Sequence, residues 1–311
     1  MSYLFLISGL VLLVFSGDFL VKGSVSLAGH FRLSKLVVGI VIVSIGTSAP
    51  ELVVSVNAAL SGHPDISLGN VIGSNISNIA LVLGLTAIIM PVQAKRKGVV
   101  IDWAMMMFAS VLLYLFALDD VISFWDGSLF LLLLFIYITY SIYISRRENK
   151  KLGQVHVKPT QTLIVSLMFV GGAAIGLVVG ADLLVRGAIG VARQFQVDER
   201  VISVSVVAFG TSVPELATSI MAAIRKEIDI FIGNIIGSNI FNILAILGIT
   251  GLIKNIEVNP STLSNDLIWM LGISFLLFLF LLPLRKRTIG RWQGMVFVSL
   301  YSVFIFLVFA A

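Results

Sequence analysis

The chain has 311 residues, 58% of them hydrophobic and only 12% charged, with a net charge of +5. A soluble domain is about 45–50% apolar and about 25% charged, so a water-facing globular body is excluded and an all-α polytopic membrane protein is expected. Cysteine is absent, which removes disulfides, thiol catalysis and thiolate metal sites, and the basic residues sit in short loops where they serve topology rather than nucleic-acid binding.

Apolar runs predict ten transmembrane helices, near 3–28, 36–60, 67–90, 99–118, 121–144, 161–186, 199–223, 230–253, 264–284 and 291–310, each close to the ~20 residues that cross a bilayer. The first has no basic residue before it and no small-x-small cleavage site, so it is expected to remain as a span. Its Asp18 and Lys22, an acid four residues before a base, read as a self-compensating ion pair near the inner interface and not as part of a site. The second span is interrupted by SIGTSAPELVVS, Ser44 to Ser55. Pro50 lacks an N–H and its ring clashes with the Gly46 carbonyl, so the helix should kink or unwind around Gly46 to Ser48. The third opens on GNVIGSNISN, Gly69 to Asn78. There Gly69 and Gly73 are spaced for close backbone approach, and Ser74 and Asn78 share one helix face. The fourth and fifth spans are apolar, and residues 145–160 form a basic linker too short to be a domain.

The sixth span repeats the acid–base spacing at Asp182 and Arg186. The seventh reads AFGTSVPELATS, Ala208 to Ser219, and Pro214 should break it against Gly210. The eighth reads GNIIGSNIFN, Gly233 to Asn242. A shift of 164 lays Thr47, Ser48, Pro50 and Glu51 on Thr211, Ser212, Pro214 and Glu215, and Asn75 and Asn78 on Asn239 and Asn242. The expected plan is therefore two five-helix repeats, 1–144 and 161–311, joined by the linker. An odd number of spans makes the halves inverted, an arrangement of secondary transporters whose site lies near the midplane at the repeat interface. Loop charge agrees. Arg32 and Lys35, Lys95 to Lys97, Arg146 to Lys158, Arg225 and Lys226, and Arg285 to Arg291 alternate with acidic loops. The linker is then cytoplasmic and both termini outside; size and short loops fit a bacterial inner membrane.

A carboxylate at the centre of a membrane helix costs at least ~2.5 kcal/mol, so Glu51 and Glu215 mark a functional site. With them the motifs offer only oxygen: hydroxyls, the amides of Asn78 and Asn242, the hydroxyls of Ser74 and Ser238, and carbonyls freed by the prolines. That chemistry suits a hard cation and not zinc or copper. Two bidentate glutamates with the Thr47 and Thr211 carbonyls come to about six oxygens, enough for calcium.

The paired GTSAPE/GTSVPE and GNVIGSN/GNIIGSN stretches resemble the two alpha-repeats of the cation/calcium antiporter superfamily, most closely the prokaryotic sodium/calcium exchangers. The resemblance covers the whole ten-span plan. It implies a core of the second, third, seventh and eighth spans, with the first and sixth sliding as a pair. It implies calcium held by Glu51, Glu215 and the carbonyls of Thr47 and Thr211. Sodium would use the same ligands with Ser48, Ser74, Ser212, Ser238 and the carbonyls of Ser44 and Ala208, with Asn78 and Asn242 at the middle. Some prokaryotic members carry Asp where this chain has Asn242, which leans against potassium co-transport; Ser44 stands where Ala is usual. The implied activity is electrogenic exchange of sodium for calcium by alternating access, with the bilayer and the two ions as partners, no protein partner inferable and no cofactor. The rival readings are proton/calcium antiport, since buried glutamates can carry protons, a calcium channel, and an intramembrane protease. The GNVIGSN motif, the closed two-fold set of ligands and the choice of Glu over Asp weigh against them in turn.

Overall fold

The computed structural model describes residues 1–93, 98–151, 158–196, 199–281 and 288–310; side chains of 151, 199–209, 309 and 310 are not described. The chain is helical nearly throughout. Helix α1 is Ser2–Phe31. The next span is broken into α2a, Lys35–Thr47, and α2b, Ala49–Leu60, which meet at 50°. Then follow α3 Pro64–Ile89, α4 Gly98–Phe116, α5 Phe124–Lys151, α6 Leu163–Gln194, α7 Glu199–Ile224, α8 Ile228–Ile253 and α9 Thr262–Leu281, and α10 Arg291–Ala310. Among the described residues eight helices are each long and apolar enough to cross a membrane, and α2a with α2b makes a ninth.

Local chemistry sets several ends. Ser34 caps α2a by accepting the Val37 N–H, while its own N–H donates to Ser145 Oγ of α5 at 2.7 Å. Thr162 caps α6 through the Val165 N–H. The return from α2b to α3 passes through Gly62 at φ +92°, a conformation that glycine adopts without the steric cost of a Cβ. The expected break in the second span is present: Ser48 departs from helical geometry (φ −86°, ψ 10°) just before Pro50. Wider π-helical turns were not anticipated. They occupy Gly39–Val43, Ser77–Leu83, Asn242–Leu247 and Thr262–Asp266. The middle two fall on each other under the 164-residue shift and start within a residue of Asn78 and Asn242. Such turns collect at functional sites.

The break expected at Gly210 to Ser212 does not occur. Helix α7 is continuous, with Pro214 inside it. A proline removes one hydrogen bond, and membrane helices absorb that where neighbours satisfy the freed carbonyl. In the second span the loss adds to a π turn one helical turn away, and the helix yields. Helix α5 also runs to Lys151, past the expected span end at 144, through a stretch rich in good helix formers. Residues 94–97 and 282–287, which hold Lys95 to Lys97 and Arg285 to Arg287 of the expected inside charge, lie outside the described residues, as do residues 152–157 of the expected linker.

Helices α3 and α8 sit at the centre, with α8 almost wholly buried. Helices α1 and α6 pack on each other through small residues: a Cβ at Gly9 would lie 2.8 Å from the Gly180 carbonyl oxygen, and one at Gly187 2.9 Å from that of Ser2. The ion pairs expected on these helices form, Asp18–Lys22 at 2.7 Å and Asp182–Arg186 at 2.9 Å. Arg225 also reaches Asp18 and ties α1 to the end of α7.

The two halves are cross-braced. The end of α3 packs on α10, where a Cβ at Gly294 would come 2.6 Å from the Gly84 carbonyl oxygen. The end of α8 packs on α5, where one at Gly127 would come 2.8 Å from that of Gly248. Two short antiparallel ladders do the same: β1 Val92–Gln93 with β4 Thr288–Ile289, and β2 Val121–Ile122 with β3 Ile256–Glu257. Helix α4 is joined to α9 by Trp103, whose Nε1 donates to the Ser274 carbonyl at 2.8 Å and whose ring stacks on Phe278. Trp103→Phe keeps the stack and loses the bond. It should lower stability by about 1 kcal/mol, read as an earlier thermal unfolding midpoint with transport retained.

Candidate cation site

The broken second span and the continuous seventh bring their motifs against the centres of α3 and α8. Ser44, Thr47 and Ser48 form the last turn of α2a and the break; Glu51 lies in the first turn of α2b. Ser74 and Asn78 come from α3, Thr211, Ser212 and Glu215 from α7, and Ser238 and Asn242 from α8. All are buried except Thr211, which is half-buried; Ala208 lies outside the residues whose side chains are described. Glu51 and Glu215 are each 1% exposed and close enough to interact electrostatically. Among the described residues neither joins an ion pair. A buried carboxylate without a paired cation is costly, and here there are two of like sign.

Contacts across the halves build the site. Ser48 Oγ donates to Glu215 Oε1 at 3.1 Å. Thr47 Oγ1 lies 3.2 Å from Asn234 Oδ1 and 3.5 Å from Ser238 Oγ. Asn70 and Asn234 correspond under the shift and brace the two glutamate helices. Asn70 Nδ2 donates to Ser55 Oγ at 3.0 Å and the Glu51 carbonyl at 3.3 Å, and Asn234 Nδ2 to Ser219 Oγ at 3.5 Å. At the centre Asn78 Nδ2 donates to Asn239 Oδ1 at 3.3 Å, and Asn242 Nδ2 to Asn75 Oδ1 at 3.1 Å.

The halves are not equivalent in detail. At the break the Thr47 carbonyl ends α2a, where Ser48 leaves helical geometry. Thr211, its counterpart, lies within a continuous helix, so a break does not release its carbonyl as was expected. Ser44 is engaged at both ends: its hydroxyl donates to the Ile40 carbonyl and its own carbonyl accepts the Ser48 N–H at 2.9 Å. The expected close approach of paired glycines holds for Gly233 and Gly237, which meet the backbone of α2a. Among the described residues nothing lies within 4 Å of a Cβ at Gly69 or Gly73.

Among the described residues eleven buried side-chain oxygens have no hydrogen-bond partner, and five of them belong to the predicted ligands: Glu51 Oε2, Asn78 Oδ1, Ser212 Oγ, Glu215 Oε2 and Asn242 Oδ1. Buried polar atoms are nearly always paired, so such a set calls for a ligand that takes electron pairs. Among the described residues no three His, Cys, Asp or Glu side chains gather as a metal centre, here or elsewhere. Two carboxylates with neutral oxygens fit a divalent hard cation by charge and by donor type. Sequence reasoning singled out these residues as candidate ligands but not Asn70, Asn75, Asn234 and Asn239, which the repeat aligned without giving them a role. Met106 and Met270 went unnoticed; their separation of 164 was the only signal.

Comparison with known proteins agrees with this chemistry. Residues 1–143 and 165–310 match the family model described as sodium/calcium exchanger protein. The sodium/calcium exchanger MaX1 of Methanosarcina acetivorans is 30% identical over 99% of this chain and 98% of its own. The inner membrane protein YrbG of Escherichia coli is 34% identical over 96% and 94%. A solved structure of the sodium–calcium exchanger NCX_Mj, soaked with zero Na+ and Ca2+, superposes with a TM-score of 0.82 at 34% identity, covering 97% of both chains.

Proposed function

The chain belongs to the sodium/calcium exchanger protein family, and on that footing we propose that it is a secondary antiporter exchanging Na+ for Ca2+ through the site between α2a/α2b, α3, α7 and α8. The observation that carries the reading is the set of five unpartnered buried oxygens, two of them on unpaired carboxylates, contributed by both halves. Glu51 and Glu215 hold calcium with the Thr47 carbonyl and with the Thr211 carbonyl, which stays in its helix and offers its second lone pair. Sodium uses the same oxygens together with Ser48, Ser74, Ser212, Ser238 and the carbonyls of Ser44 and Ala208, while Asn78 and Asn242 lie at the middle. Because the two ions need the same atoms, each excludes the other, and exchange is obligatory.

The ten helices form two inverted five-helix repeats, 1–144 and 161–311, in a bacterial inner membrane, with the 145–160 linker cytoplasmic and both termini outside. The 164-residue shift and the cross-bracing of β1–β4 with β2–β3 support this arrangement. Helices α1 and α6, joined by their glycines, slide together against the rest to open the site to either side.

Charge sets the energetics. With both glutamates ionised, one calcium neutralises the site and three sodium ions leave it at +1. The cycle then moves one net charge, worth ~2.3 kcal/mol per 100 mV. In sodium-loaded liposomes a positive-inside potential should speed calcium uptake, and uptake should persist without potassium. Indifference to the potential would sink the electrogenic scheme. Uptake driven by a proton gradient alone would keep the site and replace the coupling ion.

A further inference from the structure

We propose that Asn75 and Asn239 are positioning residues that fix which end of Asn242 and Asn78 is offered to the transported cation, and that Met270 and Met106 fix them in turn. This rests on the cation-site reading above. An asparagine amide has an acceptor end and a donor end of nearly equal shape. A cation site that uses asparagine must therefore exclude the flipped amide, which would present N–H.

The orientation can be traced inward from the sulfurs. Met270 Sδ lies 3.6 Å from Asn75 Nδ2, and Met106 Sδ lies 3.5 Å from Asn239 Nδ2. A thioether has no hydrogen to donate and accepts weakly, so the amide end that faces it is the NH2. Asn75 Nδ2 also faces the Asn239 carbonyl at 3.4 Å, another acceptor without a hydrogen. The oxygens of Asn75 and Asn239 therefore turn the other way. Asn75 Oδ1 takes an N–H of Asn242, and Asn239 Oδ1 takes one of Asn78. Both inner amides then have their NH2 groups engaged, and their oxygens are the ones left buried without a partner.

The relay runs twice, Met270 to Asn75 to Asn242 and Met106 to Asn239 to Asn78, and its members correspond one to one under the 164-residue shift. Each strand of it crosses between the halves twice. All six side chains are at most 2% exposed, so water does not compete for these bonds. A flipped amide would set oxygen against sulfur at one end and NH2 against NH2 at the other.

The test uses the full chain in liposomes and the KM for calcium in sodium-driven uptake. Asn239→Leu should raise that KM roughly three- to tenfold, the worth of one hydrogen bond, with kcat little changed. In the Asn78→Ala background the same substitution should add nothing, because Asn239 acts only through Asn78. Asn75→Leu with Asn242→Ala should behave alike. Met106→Leu, which nearly keeps volume, should give a smaller rise that also vanishes with Asn78→Ala, and it carries the test if Asn239→Leu does not fold. An unchanged KM in the singles, or effects that multiply with Asn78→Ala, would overturn the relay. An unchanged KM in Asn78→Ala itself would remove the site reading of Asn78 and the relay with it.

Discussion

If Glu51 and Glu215 hold calcium, Glu51→Gln and Glu215→Gln, made singly, should each abolish sodium-driven calcium uptake and leave the protein folded and no less heat-stable. The amide keeps the shape of the carboxylate and one acceptor oxygen, so the packing of α2b and α7 is unchanged. What disappears is one of two negative charges opposite the divalent ion. Losing one partner of a buried charge pair costs about 3–5 kcal/mol, roughly a hundredfold to several thousandfold in affinity. Without calcium the sign reverses: each buried carboxylate lacks a paired cation and feels its twin, so neutralising one relieves the ion-free protein. The check is therefore two measurements on each variant. Radiolabelled calcium uptake should fall to background, and the thermal midpoint without calcium should hold or rise, while the stabilisation that calcium gives the parent protein is lost. A variant that loses transport and also unfolds early would mean that the glutamate serves the fold.

Gly237→Ala should cost a large part of the folded yield, through sterics alone. A Cβ there would sit 2.6 Å from Ile40 Cα and 2.7 Å from the Ile40 carbonyl oxygen. These are backbone atoms of α2a, so no rotamer change relieves the contact. The helix must move, and Ser44 and Thr47 move with it. Overpacking of this kind costs about 1–3 kcal/mol. Comparing the thermal midpoints of purified Gly237→Ala and the parent protein decides the matter, and an unchanged midpoint would refute the steric account.

Much of this was legible in the sequence because it was written twice. Composition named the membrane, and a proline four residues after Gly46 located the break in the second span. The repeated carboxylates, hydroxyls and amides marked the residues of the candidate site. What stayed hidden depended on neighbours. The same proline that breaks one helix at Ser48 leaves α7 continuous, because the outcome turns on whether surrounding groups can satisfy one freed carbonyl and whether a second irregularity lies nearby. The π turns at Ser77–Leu83 and Asn242–Leu247 have no composition of their own. The roles of Met106 and Met270 were invisible for a simpler reason: in an apolar helix a methionine reads as packing until an amide is seen facing its sulfur.

The cross-bracing also has a consequence in time. Gly84 waits for Gly294, β1 for β4 and Gly127 for Gly248, and a ribosome delivers the later member of each pair more than a hundred residues after the first. Until α7 and α8 emerge, Glu51 and Asn78 stand in the newborn membrane without the groups that complete their site, an expensive condition in hydrocarbon. The contacts of α3 with α10 and of β1 with β4 can close only as the last helix is released. A nascent chain arrested at the linker is thus an unfinished surface for the proteases that police membrane insertion, and each half reaches maturity only with the other.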